Sequence, residues 1–220
     1  MITCVPAGAA LSDSTSTVGQ ALTQVELSIR DPRTKLLSPI GVAGEICARS
    51  PMNMLGYNDL PEATTQALDA EGWLHTGDLG SMDERGYVRV TGRVKEMIIR
   101  GGENLFPAEI ENVLLEHPGI AEVAVVGLPD EKFGEIVGAF LRLNGDESFP
   151  SCQELIAFCR QRLSPQKTPS VWVRTERWPL TASGKIQKFM LREQYLQGAY
   201  AGQMLASQVG GAVSPRAGVP

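Results

Sequence analysis

Three groups of residues in this chain have types and spacings that could do chemistry. Lys185 stands in Pro179-Leu180-Thr181-Ala182-Ser183-Gly184-Lys185-Ile186. A lysine on a loop of small residues can reach a developing negative charge. Asp78 stands in Thr76-Gly77-Asp78. A carboxylate beside a glycine can accept two hydrogen bonds from a sugar diol. The third group runs from Gly92-Arg93-Val94-Lys95 to Arg100-Gly101-Gly102-Glu103-Asn104. Arg93 could hold a ribose or a phosphate through its planar fork. Lys95 could be a charged hinge residue, and Gly101-Gly102 lets another molecule approach bare backbone. Each group also has a plainer use: an Asx turn for Gly-Asp, solvated charges for the arginine and lysine, a surface loop for Ser-Gly-Lys.

Other chemistry is excluded. A phosphate loop ending at Lys185 needs Gly where Pro179 stands and Ser or Thr where Ile186 stands. Cys4, Cys47, Cys152 and Cys159 form no C-x-x-C pair, so neither a zinc site nor a disulfide framework is expected. His75 and His117 have no metal-ligand partners at useful sequence spacing, and no metal site is expected. No Ser-His-Asp or Cys-His arrangement stands out.

The elements that must position these groups fall into two textures. Residues 1–20 read as a loop rich in Ser, Thr, Ala and Gly. Val25, Leu27 and Ile29 alternate as a strand, and 42–48 reads as a second. A helix is expected from Pro61, stopped by Gly72. Asp83-Glu84-Arg85-Gly86 is a hairpin turn with the returning strand at 87–90. Short strands joined by glycine turns suggest a small β-structure, barrel-like, with Thr76-Gly77-Asp78 in one of its loops. From residue 94 the pattern is strand (94–99), glycine turn, helix (107–116), strands (123–126 and 137–143), helix (151–163), strand (171–174) and helix (187–196). Pro107 suits a first helical turn, and Ser151 with Glu154 suits a capping box. The fold class expected is α+β: a β-rich segment over 1–93, a compact α+β lid domain over 94–198, and a disordered tail over 199–220.

Composition bounds the partners. The 220 residues are 43% hydrophobic and 20% charged, with a formal net charge of -5. These are ordinary globular values. The acidic balance argues against nucleic acid. There is no apolar run able to span a bilayer and no visible signal peptide, so a reduced, cytoplasmic setting is expected. A thin β segment of this kind could expose apolar surface and self-associate.

Taken together, in this order and spacing, the motifs resemble the adenylate-forming superfamily: acyl-CoA synthetases, adenylation domains of peptide synthetases, and luciferases. The similarity is greatest to medium- and long-chain fatty acyl-CoA ligases. It is carried by Gly44-Glu45-Ile46, Met54-Leu55-Gly56-Tyr57, Trp73-Leu74-His75-Thr76-Gly77-Asp78, Gly92-Arg93-Val94-Lys95, Arg100-Gly101-Gly102-Glu103-Asn104, Pro107-Ala108-Glu109-Ile110-Glu111 and Pro179-Leu180-Thr181-Ala182-Ser183-Gly184-Lys185. The resemblance implies that Asp78, with Thr76 and Arg93, binds the ribose of ATP or AMP. It implies that Lys95 is the hinge between a large and a small domain. Gly101, Gly102 and Glu103 would line the channel for the coenzyme A thiol, and Lys185 would be the catalytic lysine. The implied substrates are a carboxylic acid such as a fatty acid, ATP with Mg, and coenzyme A. The family's phosphate loop and the Thr-Glu pair that handles Mg are not found in these residues. The expectation is therefore the C-terminal portion of an acid-CoA ligase, inactive alone. The alternatives are a stand-alone module that binds a nucleotide or a partner, or part of a peptide-synthetase adenylation domain.

Overall fold

The computed structural model describes residues 1–144 and 150–207. The chain divides into two compact units, residues 1–95 and 96–220.

In the first unit, β1 (Thr3–Cys4) pairs antiparallel with β2 (Gln20–Ala21), and the short α1 (Leu11–Ser16) lies between them. The main sheet is an antiparallel meander of β3 (Glu26–Arg30), β4 (Gly44–Arg49), β5 (Leu74–Met82) and β6 (Val88–Arg93), in that order. Helix α2 (Pro61–Ala67) precedes β5, with Pro61 in its first turn. The α+β class holds, but the barrel-like closure expected from the short strands does not. The meander is open, because β3 and β6 are its two borders and do not pair with each other. Part of the border at β6 is covered by the chain's own start. Val18 N–H donates to Val88 O, and Val88 N–H donates to Gly19 O, at 2.8 Å each. Residues expected to be plain loop are thus tied down by backbone pairing. The core here is small: Ile29, Ile46 and Val88, with Ile2, Leu27 and Met82 packed against them.

Residues 94–100, where the chain passes from the first unit to the second, differ from the expected 94–99 strand. Val94–Glu96 is a single 3₁₀ turn, and the strand β7 is only Ile98–Arg100. Val94, Met97, Ile98 and Ile99 do not alternate with the period of two that a half-buried strand needs. Of the four, only Ile98 is fully buried. Gly101-Gly102 does not lead straight into a helix. It forms a two-residue hairpin loop into β8 (Glu103–Leu105), with Arg100 opposite Glu103. Both glycines have φ > 0, at 58° and 89°. That double requirement is the mark of the hairpin turn whose twist suits its strands.

Helix α3 (Pro107–Leu115) follows, then the long strands β9 (Ile120–Asp130) and β10 (Gly134–Leu143), which pair along their whole length. Helix α4 (Cys152–Arg160) carries the chain to β11 (Val171–Arg174), parallel to β10. Helix α5 (Lys188–Leu196) and β12 (Met204–Ser207) complete the described residues. Alternation along β10 sends Val137, Ala139 and Leu141 into one core with Ile110, Leu114, Leu155 and Trp172. Ile136 and Phe140 face the other core, with Val126, Val173 and Leu191. The sheet therefore lies between α3 and α4 on one face and α5 on the other, which is why β9 and β10 are apolar on both sides.

The tail expected to be disordered from 199 is in part regular structure. Met204–Ser207 is strand β12, antiparallel to β11, with Val173 opposite Met204 and Val171 opposite Ser207. An open border of apolar strand recruits whatever backbone can reach it. Residues 208–220 of that expectation lie outside the described residues. No described helix is long and apolar enough to cross a membrane.

Candidate functional site

Thr76-Gly77-Asp78 was expected in a loop; it lies within β5, as a bulge. Cys47 stands opposite His75, and Glu45 opposite Leu79. One residue of β4, Ile46, therefore spans three of β5: Thr76, Gly77 and Asp78. The surplus backbone must leave the ladder, and it does so through Gly77, at φ 72°. Bulges of this kind re-aim side chains. Three hydrogen bonds hold its shape. Thr76 Oγ1 donates to Ile46 O at 2.7 Å and accepts from Asp78 N–H at 3.1 Å. Gly77 N–H donates to Glu45 Oε1 at 3.2 Å.

Asp78 stands opposite Arg93 on β6, and Arg93 Nε lies 3.1 Å from Asp78 Oδ1. The structure thus brings together two residues that residue type offers as separate candidates and that the resemblance assigns to one ribose. Both side chains are open to solvent, at 67% for Arg93 and 38% for Asp78. An exposed ion pair contributes little to stability, so its partners are free to be exchanged for a ligand. The same unit contains a cavity of about 460 Å³, lined by Lys35, Glu45, Tyr57, His75, Thr76 and Lys95 among others. That volume lies in the range of small-molecule pockets, roughly 300–1,000 Å³.

Beneath the bulge is a network that sequence spacing did not reveal. Glu45 is 5% exposed and touches three donors. His75 Nδ1 lies 2.9 Å from Glu45 Oε2, Lys35 Nζ lies 3.0 Å from the same oxygen, and Gly77 N–H meets the other. Cys47 Sγ lies 3.4 Å from His75 Nδ1, and Asp69 Oδ2 lies 3.5 Å from His75 Nε2. Burial raises the Glu45 carboxyl, but hydrogen bonds from His75 and Lys35 outweigh it and hold the group below its ordinary value. Burial, reinforced by the Glu45 charge, pushes the Cys47 thiol up to about 12. His75 was expected to lack metal-ligand partners. Glu45, Cys47 and His75 nevertheless place ligand atoms within 4.8 Å of one another. The one legible hint was Glu45 and Cys47 at i and i+2, which share a face of any strand. Their partner lies 28 residues on, across a register that spacing does not encode. Thiol and imidazole do not suit Mg²⁺, which takes oxygen ligands. No step of the chemistry is therefore routed through Mg²⁺ at these residues.

In the second unit, the Gly101-Gly102 turn projects bare backbone. A Cβ on Gly102 would meet nothing within 4 Å, and Gly101 N–H donates to Phe133 O at 2.8 Å. The Phe133 ring has the Arg100 guanidinium 5.0 Å and the Lys132 ammonium 5.1 Å from its centroid. Glu103 is exposed.

The Lys185 loop is a closed turn rather than a slack one. Thr181 N–H donates to Lys185 O at 2.8 Å, and Lys185 N–H donates to Thr181 Oγ1 at 3.0 Å. Leu180 and Ile186 bridge behind it. The turn fixes the backbone at Lys185 while the side chain stays exposed, with no carboxylate within 4 Å among the described residues. Lys188, one turn of chain later, is its opposite: largely buried between Glu96 Oε2 at 2.8 Å and Glu111 Oε1 at 2.9 Å. Sequence reading missed that triad, whose members lie far apart along the chain. Lys95, in the 3₁₀ turn, is exposed.

Residues 109–185 match the family of AMP-binding enzyme C-terminal domains. The chain is 44% identical over 188 residues to a medium-chain fatty-acid–CoA ligase of Escherichia coli, covering 85% of this chain and 33% of that protein. It is 43% identical over 180 residues to the mitochondrial medium-chain acyl-CoA ligase ACSF2 of Bos taurus, covering 82% and 29%. Among solved structures, ATP-bound MatB from Rhodopseudomonas palustris superposes with a TM-score of 0.75 at 37% identity, over 82% of this chain and 36% of that one. The o-succinylbenzoate CoA synthetase of Bacillus subtilis, in complex with its acyl-adenylate intermediate, gives 0.72 at 35%, over 82% and 36%. The chain thus spans about a third of the length of the curated relatives it matches.

Proposed function

We propose that the chain, whose residues 109–185 match the AMP-binding enzyme C-terminal domains, is the C-terminal portion of an ATP-dependent acid–CoA ligase. The carboxylate of an acid attacks the α-phosphate of ATP, giving acyl-AMP and pyrophosphate. The coenzyme A thiol then displaces AMP to give the thioester. The observation that carries this reading is the pairing of Asp78 with Arg93 beside the Gly77 bulge. In it, Asp78 accepts from the ribose hydroxyls, Arg93 turns to the ribose or phosphate, and Thr76 holds the bulge. Lys185 is the catalytic residue of the first step. That step brings an anionic carboxylate onto an anionic phosphate, and a cation on a rigid turn offsets the charge that develops.

Gly101 and Gly102, with Glu103, line the thiol's path in the second step. Lys95 is the hinge, so that the Lys185 turn and the glycine turn serve one reaction centre in succession. The domains are 1–93, the end of a larger adenylate-forming domain, and 94–198, the lid. A medium- or long-chain fatty acid is the favoured substrate, and the medium-chain ligases among the relatives support the first of these. Mg accompanies ATP, held mainly by groups outside these 220 residues. The exposed apolar Leu36, Leu37, Ile40 and Val42 support a role for the first unit in covering or being covered by further protein, including a second copy. A reduced compartment fits four free cysteines.

The chain alone carries no phosphate-loop pattern, and we expect no sustained pyrophosphate exchange from it with a panel of fatty acids. Sustained exchange would overturn that part of the reading. In a full-length ligase carrying these residues, Lys185→Ala should depress adenylate formation by about 10²- to 10³-fold. Thioester formation from preformed adenylate should be far less affected. Equal loss in both steps would refute the role given to Lys185.

A further inference from the structure

The cluster under the bulge has an electrostatic mismatch that points to a ligand. A neutral imidazole has one N–H and one lone pair. His75 meets a carboxylate oxygen at both nitrogens: Glu45 Oε2 at 2.9 Å and Asp69 Oδ2 at 3.5 Å. Whichever nitrogen holds the proton, the lone pair of the other faces a carboxylate. Asp69 is committed as an acceptor, since its Oδ1 takes N–H groups from Glu71 and Trp73 at 2.9 and 2.8 Å. With the proton on Nε2, facing Asp69, the Nδ1 lone pair and Glu45 Oε2 confront each other. Cys47 Sγ closes the triangle, 3.4 Å from Nδ1. With Cys47 as a thiolate, three electron-pair donors converge there, in a pocket where Glu45 and His75 side chains are 5% and 10% exposed.

We propose that Glu45, Cys47 and His75 form a binding site for a single Zn²⁺ ion, with Asp69 as the partner that orients His75. One thiolate, one imidazole and one carboxylate are the donors zinc takes. The carboxylate on the far imidazole nitrogen is the usual companion of a metal-bound histidine. Strand geometry supplies the preorganisation: Glu45 and Cys47 share a face of β4, and His75 is directly opposite Cys47 on β5. The cavity lined by Glu45 and His75 leaves room for a water as a further ligand. Binding displaces two things. The Cys47 proton is released, so affinity rises with pH. The Lys35 ammonium, 52% exposed, gives up its contact with Glu45 Oε2 and swings into solvent. Glu45 Oε1 also accepts from Gly77 N–H, so an occupied site braces the bulge that carries Asp78. This site stands apart from the ligase reading, and either can fail without the other.

The test is calorimetric titration of the untagged 220-residue chain with Zn²⁺, with the exposed thiol removed by Cys4→Ser. One equivalent should bind, and Cys47→Ser should abolish it. Asp69→Asn should weaken it by about 10- to 100-fold. Lys35→Met, which removes the competing cation, should tighten it. Co²⁺ should give a thiolate charge-transfer band with the folded chain, lost on adding Zn²⁺. Circular dichroism checks that Cys47→Ser folds; if it does not, the Co²⁺ band and the Lys35→Met affinity decide. Absence of equimolar binding overturns the proposal. Binding that survives Cys47→Ser, a missing Co²⁺ band, or a Lys35→Met chain that binds no tighter would each overturn it as well.

Discussion

Glu45 makes the residue scale concrete, because one carboxylate holds the bulge, a histidine and a lysine. Its carboxyl is held below the ordinary value of 4.5 in the folded chain. A group depressed on folding contributes stability above its unfolded value and loses it as pH falls through the lower, folded one. Acid unfolding of the first unit, followed by circular dichroism, should therefore steepen below about pH 4.5. Glu45→Gln should flatten that slope and cost about 1–3 kcal/mol at pH 7, through donors left without an acceptor. Cys47 and Cys159, pushed up to about 12 and about 11 by burial, should resist alkylation at pH 8 in the native chain, whereas exposed Cys4 should react. Mass spectrometry of the labelled peptides reads this directly; labelling of Cys47 at the rate of Cys4 would contradict its burial. Residue types alone made Asp78, Arg93 and Lys185 visible as candidates. They could not show that Asp78 and Arg93 touch, nor that Cys47 and His75 stand opposite each other. Cross-strand neighbours are set by register, and register depends on a bulge whose length composition does not report.

Elements with local causes were the legible ones. Helix α3 begins at Pro107 as first-turn proline suggests, and α4 begins after Ser151, whose Oγ accepts from Glu154 N–H at 3.2 Å. Ser151→Ala should lower the stability of the second unit by about 1 kcal/mol, measured by urea unfolding. No change would mean that burial of Leu155 and Cys159 alone holds that helix end. Gly77→Ala tests the bulge in the same way. Its Cβ would meet nothing within 4 Å, so only the cost of φ 72° remains. That cost is about 1–2 kcal/mol. The misreadings have two physical origins. The 3₁₀ turn at Val94–Glu96 and the β8 hairpin arm are local structures that a charged or glycine-rich stretch does not announce, whereas the strand course of Thr76–Asp78 owes its form to β4, a partner distant in sequence. A charged or glycine-rich stretch reads as loop until such a partner supplies its hydrogen bonds.

At the scale of the molecule, the two units have unequal cores. The first buries a handful of side chains around Ile29, Ile46 and Val88; the second fills both faces of its sheet. Calorimetry of the whole chain should therefore show two transitions, the lower from the first unit. Phe140→Ala should lower only the upper one, by about 3–5 kcal/mol, and a single transition shifted as a whole would show the units to be coupled. The α+β class was readable because strand and helix periodicities differ. The open meander was not, since closure depends on whether the two outer strands can find each other. A last consequence follows from β12, whose four residues shield the flank of Val171–Arg174. A protease cutting near Gln203 would strip that shield and leave an apolar strand with unsatisfied amides. Clipped molecules would then stack on one another through this seam, so storage life in solution depends on this short strand.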